Sequence, residues 1–426
     1  MKNTFRGGVY PMQRVKNAHE GKSHTKEQAI RAYTAKRVVI PVQMHLGAPS
    51  IPCVKAGEHV DIGQVIAAPE GALGLPVHAS VSGTVTAVEA RIQFGGMPVQ
   101  CVCIDNDDKE TWTQLTPLGG VEQAAPEKIL PAIREAGICG MGGATFPTHA
   151  KLTIPEGKRC ELIIVNGAEC ETHLTSDYRL MLEMPERVID GLRAVMRALG
   201  VNDGVIAVED NKPQAARVLE EYARDREGVR VVVMPTKYPQ GSEKQLIKAV
   251  AGKEVPPGKL PIDVHVVVIN AATAAAIADA ITLGKPLIER VTTVTGRVRF
   301  PNNLLLRIGT VFQEAIEACG GYSQRPGKII AGGAMTGLCA PDDSVSVGKG
   351  CGGILVLNEK EARTHEEQPC IRCARCAEVC PIGLDPYLIK YYCDHEDYEG
   401  AQAHHVMDCI MCGCCAYICP SRRWLT

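Results

Sequence analysis

Eight of the nineteen cysteines form two copies of one pattern near the end of the chain: Cys370-x2-Cys373-x2-Cys376-x3-Cys380-Pro381 and Cys409-x2-Cys412-x2-Cys415-x3-Cys419-Pro420. Three thiolates spaced this closely wrap one face of an iron-sulfur cubane and a distant fourth closes it, and where two such motifs occur the fourth comes from the other motif. The spacing therefore assigns Cys370, Cys373, Cys376 and Cys419 to one [4Fe-4S] cluster, and Cys409, Cys412, Cys415 and Cys380 to the other. Structural zinc is the alternative, but it favours isolated Cys-x2-Cys pairs with longer gaps. Cys393 and Cys414 read as spare thiols. Two cubanes that exchange ligands lie close together and form a one-electron relay, not a site for organic chemistry. The stretch Asp385 to Tyr392 between the motifs has helical character, which predicts an α-helical cluster domain.

A second candidate is the loop Gly137-Ile-Cys-Gly140-Met-Gly142-Gly143-Ala-Thr-Phe146-Pro147, followed by Lys151. Dense glycines let backbone N–H groups close on a phosphate or a flat ring, and Lys151 adds charge. Thr145 stands where a dinucleotide fingerprint needs its third glycine, so a plain glycine-rich turn is the competing reading. Three polar strings accompany it: Asn166-Gly-Ala-Glu169-Cys-Glu171, Tyr238-Pro-Gln-Gly241-Ser-Glu243 and Asn270-Ala-Ala-Thr273. Each follows a β-like run, at the carboxyl end of a strand where α/β sheets place ligands, although Asn270 and Thr273 also suit a helix cap.

The elements that must position these residues read as several domains. Residues 126–284 alternate strands and helices, which predicts a mostly parallel sheet covered on both faces, in a unit at 125–285. Residues 38–124 are rich in Val, Gly and Pro with no helical period, a small β domain. Residues 286–357 return to β character around one helix at Phe312–Cys319, as a β-grasp-like module does. A polar linker leads into the cluster domain at 358–426. The N-terminal segment 1–37 is basic: residues 1–40 hold nine Lys and Arg against Glu20 and Glu27. It is either an arm for an acidic partner or anionic membrane, or an extension over the protein's own acidic surface.

Composition excludes collagen, coiled coil and wholesale disorder. The longest apolar run, Val264–Leu283, is interrupted by His265, Asn270 and Asp279, so no membrane span is expected. The N-terminus lacks the apolar core of a secretory signal, which points to the cytoplasm, where cysteines ligate metal instead of forming disulfides. Charge is nearly balanced, and no nucleic-acid partner is expected.

Two resemblances extend this reading. The strings at 54–68 and 78–89 resemble the barrel-sandwich fold of lipoyl domains, but the turn Gly71-Ala72-Leu73-Gly74 has no lysine to modify, so a structural or docking module is expected. The flavin loops resemble those of the complex I flavoprotein subunit, and the chain as a whole resembles the RnfC family of Rnf electron transport complexes. That match runs through FRGGVYP (5–11), HLGAP (45–49), NGAEC, EDNKP (209–213), KYPQGSEKQLI and GKPLIERV (284–291) to the cysteine motifs. It implies an FMN site built on Gly140, Gly142, Gly143, Lys151, Asn166, Glu169, Tyr238, Gly241, Asn270 and Thr273, with Phe146, Glu171 and Glu243 facing NAD(H). It also implies an SLBB-like β-grasp module. Met141, Thr145 and Ile154 depart from the complex I pattern, at positions where it has Arg, Gly and an aromatic residue.

The implied activity is NADH dehydrogenase-type: electrons pass between NAD(H), FMN and two [4Fe-4S] clusters, coupling ferredoxin:NAD oxidoreduction to ion transport. The implied partners are integral and peripheral Rnf subunits and ferredoxin, with peripheral attachment at the cytoplasmic face of the bacterial cell membrane. The alternatives are a stand-alone flavin and iron-sulfur reductase of the cobalamin reductase type, and a flavin-less electron carrier.

Overall fold

The computed structural model describes residues 3–10 and 21–426. Of the basic segment, Lys2, Arg14, Lys16 and Glu20 lie outside the described residues, as does Pro11.

Two antiparallel sheets form the first β domain. One holds Arg37–Pro41, Pro98–Asn106, Gly83–Ile92 and His59–Val60; the other holds Ile51–Pro52, Val65–Ala68 and Val77–His78. Val38, Ile40, Val60, Ile66, Val85, Val102 and Ile104 alternate inward along these strands and close the sandwich core.

The central domain has a four-stranded parallel sheet in the order Val229–Met234, Gly204–Glu209, Leu162–Gly167, Val266–Asn270. Its strands read as continuous apolar runs because both faces are covered. One face packs on the helices Pro126–Glu135, Pro185–Leu199 and Ala271–Leu283, the other on Glu243–Ala251. The amphipathic stretch ending at Leu199 is preceded by a separate helix, Ser176–Glu183, the break falling at Pro185, which lacks the N–H that would continue the first helix.

A fourth sheet has six strands in the order Ile30–Tyr33, Asn302–Arg307, Glu289–Gly296, Gly353–Asn358, Pro326–Ala331, Leu338–Ala340, with the helix Phe312–Ala318 on its core. Its edge strand comes from the N-terminal segment, Ile30 to Tyr33 running parallel to Asn303 to Leu306. In its described part, then, the N-terminal segment is woven into the protein and is not a free arm. Lys22 is buried and donates to the carbonyls of Glu169, Glu171 and Leu174 at 2.6–2.8 Å.

The C-terminal domain is helical: Arg375–Val379, Pro386–Asp394, Tyr398–Ala403 and Cys414–Ile418, the first and last of which pack together. Among the described residues no helix is long and apolar enough to cross a membrane.

Candidate functional site

All four parts of the chain meet at one cleft of about 800 Å3. Its floor is the carboxyl edge of the parallel sheet. Gly142, Gly143, Asn166, Glu169, Glu171, Tyr238, Gly241 and Asn270 all line it.

The glycine-rich loop is closed by the Gly140 N–H donating to Phe146 O at 2.8 Å and anchored by the Met141 N–H donating to Thr273 Oγ1 at 2.9 Å. Gly142 lies against Asn270, whose side chain caps the helix Ala271–Leu283 by accepting from the N–H groups of Ala272 and Thr273. Gly143 has φ +116°, and a Cβ there would point into open space. The cap and the loop thus fix each other, and the cleft is left lined by bare backbone.

The neighbouring carboxylates mostly serve the protein itself. Glu169, in the left-handed region at φ 45°, accepts from the N–H groups of Asp177 and Tyr178 at 2.7 and 3.2 Å and so caps Ser176–Glu183. Asp177 accepts from Asn270 Nδ2 at 2.7 Å, and burial, followed by the neighbouring Glu169, pushes its pKa up to about 6. Glu171 accepts from the N–H groups of Met335 and Thr336 at 3.1 and 2.9 Å, fastening the cleft to the six-stranded sheet. Asn166 Nδ2 donates to Gly241 O at 2.7 Å.

Other expected residues stand apart from the cleft lining. Lys151 and Glu243 pair with each other at 2.5 Å, each about a third exposed. Phe146 is half-buried, and Thr273 is fully buried behind the loop.

Three charged residues of the cleft have no counterpart among the residues singled out from the sequence: Asp177, Arg290 and Lys349. Arg290 is buried and donates to the carbonyls of Met141 and Lys349. Lys349 is buried and donates to Gly137 O at 2.7 Å and Pro76 O at 3.3 Å, and burial pushes its pKa down to about 8. Neither cation has a carboxylate partner within ion-pair distance among the described residues, so the cleft wall suits an anionic ligand. One signal was available, since Gly348-Lys349-Gly350-Cys-Gly352-Gly353 is a second glycine-rich loop bearing a lysine.

Ile410 and Cys412 of the second cysteine motif also line the cleft. Tyr238 Oη donates to Cys412 O at 2.8 Å, so the flavin-domain loop touches that motif directly. Cys414 is fully buried against Val9 and Tyr238, whereas Cys393 is exposed. Burial, with Cys419 as a further neighbour, pushes the Cys376 thiol up; Cys415 is raised likewise, with Cys412 and Cys409 as its neighbours. Among the described residues no three His, Cys, Asp or Glu side chains converge as a single-ion site requires. A cubane asks instead for four thiolates spread around a larger body.

Residues 133–279 match the Nuo51 FMN-binding domain, 3–109 the RnfC barrel sandwich hybrid domain, and 291–338 the SLBB domain. The chain is 41% identical over 405 residues to the C subunit of the proton-translocating ferredoxin:NAD(+) oxidoreductase complex of Clostridium ljungdahlii, covering 94% of this chain and 87% of that one. The chain belongs to the RnfC family. The corresponding protein of the Na(+)-translocating complex of Acetobacterium woodii is 43% identical, with 91% and 87% covered. That of the ion-translocating oxidoreductase complex of Rhodobacter capsulatus is 41% identical, with 93% and 76% covered. In fold, the chain resembles a chain of an NAD+-reducing [NiFe]-hydrogenase in the H2-reduced state. The TM-score is 0.54 at 18% identity, and the likeness spans 71% of this chain and 62% of the other. The RnfC barrel sandwich and SLBB matches account for the lysine-free sandwich and the β-grasp-like module, and the Nuo51 match makes the central α/β unit an FMN-binding domain.

Proposed function

We propose that this chain is the NADH-side electron-transfer subunit of a membrane-bound Rnf complex, exchanging electrons between NAD(H), FMN and two [4Fe-4S] clusters. The observation that carries this reading is the shared cleft: Gly142, Gly143 and Asn166 of the FMN-binding domain line the same space as Ile410 and Cys412 of a cysteine motif. FMN, when bound, supplies the link between two-electron hydride exchange and one-electron transfer.

The chain's own residues hold and orient. Gly142 and Gly143 leave room for a flat ring and its phosphate. The capped start of Ala271–Leu283, with Arg290 and Lys349 opposite, presents positive charge to that phosphate. Asn166 holds Gly241 in place, and Tyr238 ties the flavin loop to Cys412. Phe146, Glu171 and Glu243 are assigned to the nicotinamide nucleotide, and Lys151, which pairs with Glu243, to the flavin site. Cys409, Cys412, Cys415 and Cys380 hold the nearer cluster. Cys370, Cys373, Cys376 and Cys419 hold the farther one, a grouping supported by the packing of Arg375–Val379, which carries Cys376, on Cys414–Ile418, which leads into Cys419.

The relatives' names, which place them in ion-translocating ferredoxin:NAD(+) oxidoreductase complexes, support integral and peripheral Rnf subunits and ferredoxin as partners. Peripheral attachment at the cytoplasmic face of the membrane is part of the same proposal. Anaerobic mixing of purified, cofactor-loaded protein with NADH tests the reading. Flavin absorbance should bleach first and cluster absorbance follow, whereas flavin that stays oxidised under excess NADH refutes it.

A further inference from the structure

We propose that His45, carried by the barrel-sandwich domain, binds the nicotinamide dinucleotide by hydrogen-bonding a ribose hydroxyl or base edge of its adenosine half. The proposal rests on reading the cleft as the nucleotide site, and it gives the HLGAP string a task.

His45 is 5% exposed, yet neither ring nitrogen has a hydrogen-bond partner among the described residues. Buried polar groups in native proteins are nearly always paired, so an imidazole with both nitrogens unmet marks a missing partner. The residue lines the cleft beside Gln43 and Met44, which makes the cleft the place where that partner belongs.

The loop that carries His45 is fixed at several points. The Leu46 N–H donates to Thr145 O at 3.1 Å, Ser50 N–H donates to Val42 O at 3.1 Å, and Cys139 Sγ lies 3.7 Å from Met44 O. The bond to Thr145 puts His45 beside the outer limb of the glycine-rich loop, next to Phe146. Tyr238 and Cys412, bonded to each other, form the part of the lining where the redox-active ring must approach the cluster. The wall contributed by the sandwich domain, which carries His45, is left for the part of the dinucleotide that extends away from that ring.

Chemistry narrows the contact further. Burial, then the neighbouring Lys349 and His149, pushes the His45 pKa down to about 4, so the ring is neutral at physiological pH. A neutral imidazole offers one N–H and one lone pair, which matches a hydroxyl or a base edge. Phosphate is better served by Lys349 and Arg290, which also line the cleft.

The test uses the cofactor-loaded full chain with His45→Ala and His45→Asn. Three quantities are read: FMN per chain, affinity for ADP-ribose by calorimetry, and the preference for NADH over reduced nicotinamide mononucleotide in flavin reduction. FMN content should stay at the wild-type value. ADP-ribose affinity and the NADH preference should both fall by about three- to tenfold, the factor carried by one neutral hydrogen bond, with Asn losing less than Ala. Loss of FMN from the variants would place His45 on the flavin and overturn the proposal, as would unchanged ADP-ribose affinity. Wild-type protein that binds neither FMN nor ADP-ribose would instead refute the nucleotide-site reading beneath it.

Discussion

Replacing Gly8 with alanine should uncouple cluster reduction from flavin reduction, because residues 5–9 strap the cluster domain to the flavin domain. The Gly8 N–H donates to Val379 O at 2.8 Å, one residue before the ligand Cys380. Val9 and Tyr238 exchange backbone bonds of 2.8 and 2.9 Å, and Lys237 Nζ donates to Phe5 O at 2.8 Å. Gly8 has φ +78°, and a Cβ there would lie 2.6 Å from the Tyr238 carbonyl oxygen, a backbone atom that cannot step aside. Alanine in the left-handed region costs about 1–2 kcal/mol, and displacing the strap forfeits hydrogen bonds of about 1 kcal/mol each. The total, about 2–4 kcal/mol, falls short of what the strap gains by burying Phe5 and Val9, about 3–6 kcal/mol together. The strap should therefore stay docked but shifted and held more loosely. Stopped-flow mixing with NADH should show flavin bleaching at the wild-type rate and cluster reduction slowed by about tenfold to a hundredfold, the penalty typical of a misplacement of about 1 Å. Hydrogen exchange at the Val9 and Tyr238 amides should accelerate in parallel. If those amides exchange freely while the clusters reduce at the wild-type rate, the strap does not set the relay geometry and the reasoning fails.

Gly143→Val should leave the fold intact but reduce FMN per chain to near zero, because its side chain would enter the open cleft from a backbone at φ +116°; normal flavin content would refute this. Anaerobically purified protein should hold about eight iron atoms, and Cys419→Ala should lose the cluster held by Cys370, Cys373 and Cys376, leaving about four; stoichiometric zinc without iron would end the relay model. Glu243→Gln breaks the pair with Lys151, so FMN should remain while NADH-dependent flavin reduction weakens by about tenfold; an unchanged NADH titration would remove Glu243 from the nucleotide site. Asp177 has a folded pKa raised to about 6 from 3.8, so its contribution to stability is full below pH of about 4 and is lost as pH rises through about 6. In flavin-free protein, Asp177→Asn should therefore gain stability relative to wild type between pH of about 4 and 7, and a difference in urea midpoint that does not move with pH would show that the carboxyl is not strained.

The sequence by itself determined what is local. Ligands separated by two or three residues are held together by the chain, so the cysteine motifs announce a cluster wherever they fold. Strand and helix alternation likewise put the polar strings after Val165, Met234 and Ile269 on one sheet edge, because parallel strands joined by helices share their direction. Tertiary structure decided which distant residues share the cleft. Ile30–Tyr33 reads as part of a basic tail, and only pairing with Asn303–Leu306 makes it a strand. Nothing along the chain brings Arg290 and Lys349 together; enclosure by the glycine-rich loop and the sandwich domain turns them into cleft walls. Asp177 is a helix-start carboxylate until burial beside Glu169 raises its pKa, and His45 is one residue of a turn until Lys349 and Thr145 close around it. Desolvation and proximity across hundreds of residues create these properties, and neither exists along the chain before it folds.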